Sequence, residues 1–289
     1  MTLPAGVRVE IERALGTVRG VSPVSGGCIS EAYRVDLAAG SIFLKLNPDA
    51  PPEMFAAEAD GLRALRAAAH ASLRIPDVLA VDDAWIALEW LGPGPRGPGF
   101  GERLGRGLAA LHRVGGGGWG WERANFIAVL PQDNRPAATW AEFWAERRLR
   151  PQLEMARAAG RDAGPSAEWD RLFARLPELL APAEEDGPSL LHGDLWGGNV
   201  LSAAGEPALI DPAVCRGHRE ADLAMTELFG GFDARFHAAY AEAWPLLPGY
   251  REVRRDFYQL YYLLVHVNLF GGTYGAQTAA MLRRALAAC

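Results

Sequence analysis

Two short stretches of this chain hold the residue types that phosphoryl transfer needs. In Leu190-Leu191-His192-Gly193-Asp194-Leu195-Trp196-Gly197-Gly198-Asn199-Val200-Leu201, an Asp and an Asn stand five positions apart between apolar flanks. Asp211, in Ala208-Leu209-Ile210-Asp211-Pro212, follows Asn199 by twelve residues, on a β-prone segment that returns it to the same place. A carboxylate that orients a hydroxyl and accepts its proton, and hard oxygen ligands that hold Mg²⁺ against nucleotide phosphates, are the parts of such a reaction. The spacing matches the His-x-Asp-x-x-x-x-Asn loop of protein kinases, but Gly193 replaces its Arg, and Ile210-Asp211-Pro212 stands where Asp-Phe-Gly would. The pattern points to phosphotransfer onto a small molecule.

Composition supplies a second chemical signal. Of 29 Lys and Arg residues, one is lysine, Lys45, in the strand-like run Ser41-Ile42-Phe43-Leu44-Lys45-Leu46. A compact ammonium reaches nucleotide phosphates as a point charge where a planar guanidinium does not fit, so Lys45 is the expected phosphate-binding residue. Downstream, Phe55, Leu62, Leu65 and Ala69 trace a helical stripe, and Glu58 falls on it. A carboxylate on an apolar face needs a partner. Lys45 is the natural one; the alternative is that Glu58 reaches water at the edge of the stripe.

The elements that must position these groups change character along the chain. A helix near 3–15 precedes three strands within 18–46, the first two meeting at Ser25-Gly26-Gly27-Cys28-Ile29-Ser30. That glycine pair lets backbone N–H groups approach a ligand, and Gly26, Gly27 and Cys28 are candidate nucleotide contacts. Cys28 reads either as a reactive thiol or as a passive small residue. A helix over 53–69 and strands near 78–81 and 85–91 complete a nucleotide-binding lobe, 1–91. Gly92-Pro93-Gly94-Pro95-Arg96-Gly97-Pro98-Gly99 marks a linker, 92–101, and the backbone of Glu89-Trp90-Leu91 is placed to hydrogen-bond an adenine. The second lobe, 102–289, is mainly helical, with helices near 102–114, 139–159, 167–180, 218–229, 233–244, 250–270 and 275–288. The Gly115–Gly118 run follows a helix, so it reads as a stop and not a phosphate loop.

Composition excludes several classes. A net charge of −6 and pI near 5.6 argue against nucleic-acid or anionic-membrane partners. Cys28, Cys215 and Cys289 lack disulfide or metal spacing, which fits a reducing cytoplasm. The start lacks signal-peptide character, and the longest apolar run, Leu260–Phe270, is far shorter than the roughly 20 residues that span a bilayer.

Assembled, these residues resemble the fructosamine kinase (ketosamine-3-kinase) family over nearly the whole chain. The marks are His192 to Asn199 with Trp196, Ile210-Asp211-Pro212-Ala213, Gly217-His218-Arg219-Glu220-Ala221-Asp222-Leu223-Ala224-Met225, Phe229-Gly230-Gly231-Phe232, Asn125-Phe126-Ile127, Trp140 with Phe143 to Leu149, and Asn268-Leu269-Phe270-Gly271-Gly272. The resemblance implies an α+β, bilobal protein-kinase-like fold with a small antiparallel sheet lobe and a larger helical lobe. It makes Asp194 the catalytic base, Asn199 and Asp211 the Mg²⁺ ligands, and Lys45, paired with Glu58, the ATP-phosphate lysine. Asp222 would brace the catalytic loop through backbone N–H groups, and His192 would order it. Trp196, His218, Arg219, Glu220 and Asn125 become candidate substrate contacts; Trp196 also reads as a core filler. Cys215 stands where an aromatic is expected and would alter the substrate pocket. Arg147, Arg148 and Arg150 read as a solvated helix face paired to Glu142 or Glu146.

The implied reaction is ATP-dependent phosphorylation of the sugar 3-hydroxyl in ribulosamine, erythrulosamine or fructosamine adducts of protein lysines or small amines, a deglycation step in a monomer or weak homodimer. Rival readings are another small-molecule kinase of the same fold, acting on an aminoglycoside, choline or homoserine, or a nucleotide-binding pseudokinase.

Overall fold

A computed structural model describes residues 2–24 and 30–288; Gly26, Gly27 and Cys28 lie outside the described residues. Helix α1 (Ala5–Leu15) leads into β1 (Val18–Pro23), β2 (Glu31–Leu37) and β3 (Gly40–Leu46). Helix α2 (Met54–Ala68) follows, then β4 (Val78–Val81) and β5 (Trp85–Glu89). The five strands form one antiparallel sheet in the order β1-β2-β3-β5-β4.

The twofold alternation of β3 decides where Lys45 goes. Ile42, Leu44 and Leu46 are buried in a small core with Ile11 of α1 and Val35 of β2. Phe43 and Lys45 therefore face the opposite side, where α2 crosses. Helix α2 buries Phe55, Leu62 and Leu65, and these belong to the large core that continues through the helical half as far as Leu282. The apolar residues thus divide into one main core and a satellite behind the sheet, not one core per half.

The Gly/Pro stretch after β5 is pinned to the helical half: Gly94 N–H donates to Ser202 O at 2.9 Å, and Pro93 bridges to Ala203. Helix α3 (Phe100–His112) comes next, and then a hairpin that the sequence does not announce, β6 (Asn125–Ile127) and β7 (Leu130–Gln132). The helix expected over 139–159 is α4 (Trp140–Phe143) and α5 (Arg150–Ala158), joined by a π-helical turn over Trp144–Leu149. Helices α6 (Ser166–Leu179) and α7 (Ala181–Asp186) precede β8 (Ser189–Leu191). The hairpin β9 (Val200–Ala203) and β10 (Glu206–Leu209) follows, and β11 (Cys215–Gly217) pairs back onto β8. Helices α8 (Glu220–Leu228), α9 (Ala234–Ala243), α10 (Arg255–Phe270) and α11 (Tyr274–Ala287) finish the chain, a π turn at Tyr250–Arg254 opening α10. Helix α10 is buried on nearly every side, which makes it the axis of this half. Among the described residues no helix is long and apolar enough to cross a membrane.

Candidate active site

The loop between β8 and β9 carries Asp194 and Asn199, and its path requires glycine. Gly193 has φ +83, and a Cβ there would lie 1.9 Å from Ala213 O, so the Arg of a protein-kinase loop has no room. Asp222, fully buried on α8, holds this loop: it accepts from His192 N–H at 2.7 Å, Gly193 N–H at 2.9 Å and His112 Nε2 at 3.1 Å. Burial opposes the Asp222 charge, but the hydrogen bond from His112 and the other donors keep its carboxyl below the ordinary carboxylate value. His192 donates from Nε2 to Ile210 O at 2.9 Å, and its Nδ1 accepts from Asp194 N–H at 3.3 Å. Burial lowers its proton affinity, so both nitrogens serve the loop as a neutral ring.

Asn199 ties the two acidic residues together. Its Nδ2 donates to Asp194 O at 2.8 Å and Asp194 Oδ2 at 3.1 Å, and lies 3.4 Å from Asp211 O. Asp211 sits at φ +56, a conformation Asp tolerates better than most residues. Lys45 Nζ lies 2.7 Å from both Glu58 Oε1 and Asp211 Oδ1. Burial works against the lysine's charge, yet the two carboxylates hold it protonated; burial in turn raises the Glu58 carboxyl against the pull of Lys45.

These five residues line one cavity of about 150 Å³ together with Ser30, Met54, Pro212, Ala213 and the β6–β7 hairpin. Among the described residues, three carboxylates share it with a single cation. The imbalance falls on Asp194, whose carboxyl is pushed up to about 7 by burial first and then by the charge of Asp211. A divalent cation fits this donor set: it would add the missing positive charge beside oxygen ligands of the right hardness.

Other candidates fall elsewhere. His218, Arg219 and Glu220 are fully buried and do not reach the cavity. His218 bonds Tyr258 Oη at 2.8 Å and Asp186 at 3.1 Å, Arg219 donates to Asp186 at 2.5 Å and Pro245 O at 2.7 Å, and Glu220 accepts two 2.7 Å bonds from Arg254. Their expected substrate contacts are corrected to an internal ion-pair cluster, because every charge already has a protein partner. Asn125 lines the cavity, but its Nδ2 donates to Val214 O at 2.8 Å and its Oδ1 accepts from Asn134 at 2.9 Å, so it fastens the wall. Trp196 is 41% exposed, its indole over Gly198, which rules out the core-filler reading.

Arg148 is also corrected: instead of facing solvent it is buried, donating to Asn134 Oδ1 at 2.6 Å and Asp133 O at 2.8 Å, whereas Arg150 pairs with Glu146 as expected. Cys215 is buried in β11 and does not line the cavity. Glu89 pairs with Arg74, Trp90 lies under the Arg34 guanidinium, and neither they nor Leu91 line this cavity. Sequence reasoning missed His112 and Ala128, and named Phe126 only within the Asn125-Phe126-Ile127 mark, not as a cavity residue. The one signal for His112 was its place four residues after Leu108 on the buried face of α3.

A sequence profile described as fructosamine kinase matches residues 7–288. A probable ketoamine kinase of Synechocystis is 41% identical over 91% of this chain and 89% of its own length. The chloroplastic protein-ribulosamine 3-kinase of rice is 37% identical over 92% of this chain and 78% of its own. A crystal structure from Thermobifida fusca assigned as a fructosamine-3-kinase superposes with a TM-score of 0.87 at 37% identity, covering 97% of this chain and 98% of that one. An aminoglycoside phosphotransferase solved with ADP and hygromycin B shares the fold alone, with a TM-score of 0.64 at 17% identity. With a profile match from end to end and relatives of this similarity, the chain belongs to the fructosamine kinase family and has its bilobal, α+β, protein-kinase-like fold.

Proposed function

We propose that this chain is a ketosamine 3-kinase, transferring the terminal phosphoryl group of ATP to the sugar 3-hydroxyl of ribulosamine, erythrulosamine or fructosamine adducts on protein lysines or small amines. The observation that carries the reading is the convergence of Lys45, Glu58, Asp194, Asn199 and Asp211 on one cavity in a member of this family. Asp194 orients the acceptor hydroxyl and takes its proton; a carboxyl near 7 is matched to that work at neutral pH. Lys45, steadied by Glu58, presents its ammonium to the nucleotide phosphates. Asn199 and Asp211 would hold Mg²⁺, which when bound supplies charge neutralisation on those phosphates. Glu89 N–H already donates to Asp77 O at 2.8 Å, so at the linker Glu89 has its carbonyl to offer a base, beside the backbone of Trp90 and Leu91. We read 1–91, 92–101 and 102–289 as nucleotide lobe, linker and catalytic lobe.

A 3-phosphate makes the adduct prone to elimination, so the role is deglycation. Coupled ADP release with the three ketosamines, with and without Mg²⁺, tests the reading. Metal-dependent turnover is expected, and turnover of an aminoglycoside, choline or homoserine instead would overturn it.

A further inference from the structure

The reacting cavity has one wall that the chemistry above does not use. Phe126, in strand β6, and Ala128, in the turn of the β6–β7 hairpin, line it beside Lys45, Asp194 and Asp211. Neither side chain carries a donor, an acceptor or a charge, so neither moves a proton or holds a phosphate. What such a wall does is exclude volume.

It is also rigidly mounted. Asn125 bonds Val214 O, the residue after Pro212 and Ala213; Asn134 bonds Asn125; and buried Arg148 holds both Asn134 and the carbonyl of Asp133. On the other side the preceding segment grips α2, with Trp121 Nε1 donating to Asp60 at 2.9 Å and Arg123 pairing with Glu53. Ala128 is held at φ +57, one of four described non-glycine residues with positive φ, and Asp211 across the same cavity is another. A strained backbone persists where its surroundings over-determine it, at a cost of about 1–3 kcal/mol.

The wall stands where acceptor and nucleotide phosphates meet, since Lys45 and Asp211 line the cavity along with Asp194; the nucleotide KM in the test below therefore separates the two reactants. None of Glu89 to Leu91 lines the cavity, so the nucleotide base lies outside it, while Asp194, which must touch the acceptor hydroxyl, lies within. We infer that the β6–β7 hairpin, through Phe126 and the backbone at Ala128, is the wall that selects the acceptor ketose by size. The inference rests on the ketosamine-kinase reading. With the reacting hydroxyl fixed at Asp194, ketoses of four, five and six carbons differ by the carbinol units beyond it, and those units press on the apolar ring of Phe126. A misfit of about one methylene in an apolar pocket changes kcat/KM by roughly 10- to 200-fold.

The test is kcat/KM for erythrulosamine, ribulosamine and fructosamine with Phe126→Ala, Phe126→Leu and Phe126→Trp, beside the nucleotide KM. Phe126→Ala and Phe126→Leu should raise the fructosamine-to-erythrulosamine ratio, by roughly tenfold for Ala. Phe126→Trp should lower it, and nucleotide KM should stay within about twofold in all three. Losses equal for every acceptor, or confined to nucleotide KM, would overturn the inference while leaving the kinase reading intact. If the unaltered enzyme turns over none of the three, the kinase reading falls and this inference with it. The leucine and tryptophan variants keep a large side chain on the hairpin, so a folding failure of the alanine variant does not remove the test.

Discussion

Asp194 sets function against stability in one side chain. Its carboxyl in the fold titrates near 7 against an ordinary 3.8, so the fold favours the protonated form and the ionised form costs stability. That cost is absent below the ordinary value, grows as pH rises between the two, and is complete above 7. Asp194→Asn should therefore be more stable than the wild type at pH 8 without metal or nucleotide, by on the order of 1–2 kcal/mol after discount for its partial exposure, and the gap should close toward pH 4. The same variant should lose roughly 10²–10⁴-fold in turnover while still binding nucleotide, since an amide accepts no proton. Thermal melts across pH and single-turnover rates decide both parts; a variant less stable than wild type at pH 8 sinks the electrostatic account. For Lys45, the 2.7 Å contacts to Glu58 and Asp211 make Lys45→Arg a loss despite conserved charge, because a guanidinium is longer and planar. A double-mutant cycle with Glu58→Gln on kcat/KM should be strongly non-additive, and strictly additive losses would separate the two residues. Both residues were legible in sequence, Lys45 through its rarity and Glu58 through its place on an apolar stripe. His218, Arg219 and Glu220 were not. Their partners Asp186 and Arg254 lie more than 30 residues away, and nothing local distinguishes a charge that meets substrate from one neutralised inside the core.

At the scale of elements, the catalytic loop is fixed by a carboxylate on a different helix. Three donors, His192 N–H, Gly193 N–H and His112 Nε2–H, converge on the two oxygens of Asp222. An amide at this position sets a donor against a donor, so Asp222→Asn should destabilise the fold at pH 7 by about 2–4 kcal/mol. The folded carboxyl titrates below 3.8, so its contribution is complete above that value and is lost as pH falls through the folded value. Urea midpoints of the two proteins should therefore differ most near neutrality and converge as pH falls through the folded value; a pH-independent gap would point to packing instead of charge. The long helices and the Val78–Val81 strand followed from periodicity and from Gly/Pro punctuation. Strands β6, β7, β8 and β11 have three residues each, too few to show a twofold pattern, and their existence depends on partners distant in sequence or on a tight hairpin. The π turn at Trp144–Leu149 was hidden for a similar reason: helical spacing continues through it, while buried Arg148 turns inward to Asn134.

For the whole molecule, the division of the core matters more than the division of the chain. A change from strands to helices at Gly92–Gly99 suggests two lobes, yet α2, which lies before that stretch, contributes Phe55, Leu62 and Leu65 to the core it shares with α10 and α11. The linker adds to the continuity by bonding Ser202 and Gly205 on the β9–β10 hairpin. Among the described residues, only the satellite cluster of α1 and the outer sheet face stands apart. Removing apolar volume from α2 should therefore weaken the molecule as one unit. Leu62 is fully buried, and Leu62→Ala should cost about 2–5 kcal/mol through lost transfer energy and the cavity left behind. If the core is continuous, urea unfolding of this variant followed by tryptophan fluorescence and by far-ultraviolet circular dichroism should shift to lower midpoint in a single coincident transition. Trp140, Trp144 and Trp169 report on the helical half and buried Trp85 on the sheet, so if the sheet half unfolded separately the fluorescence would show two steps, with only the sheet step at lower midpoint. A split transition, with the helical-half step left at the wild-type midpoint, would show that α2 belongs energetically to its own lobe and that Glu58 moves against Lys45 more freely than the shared packing allows.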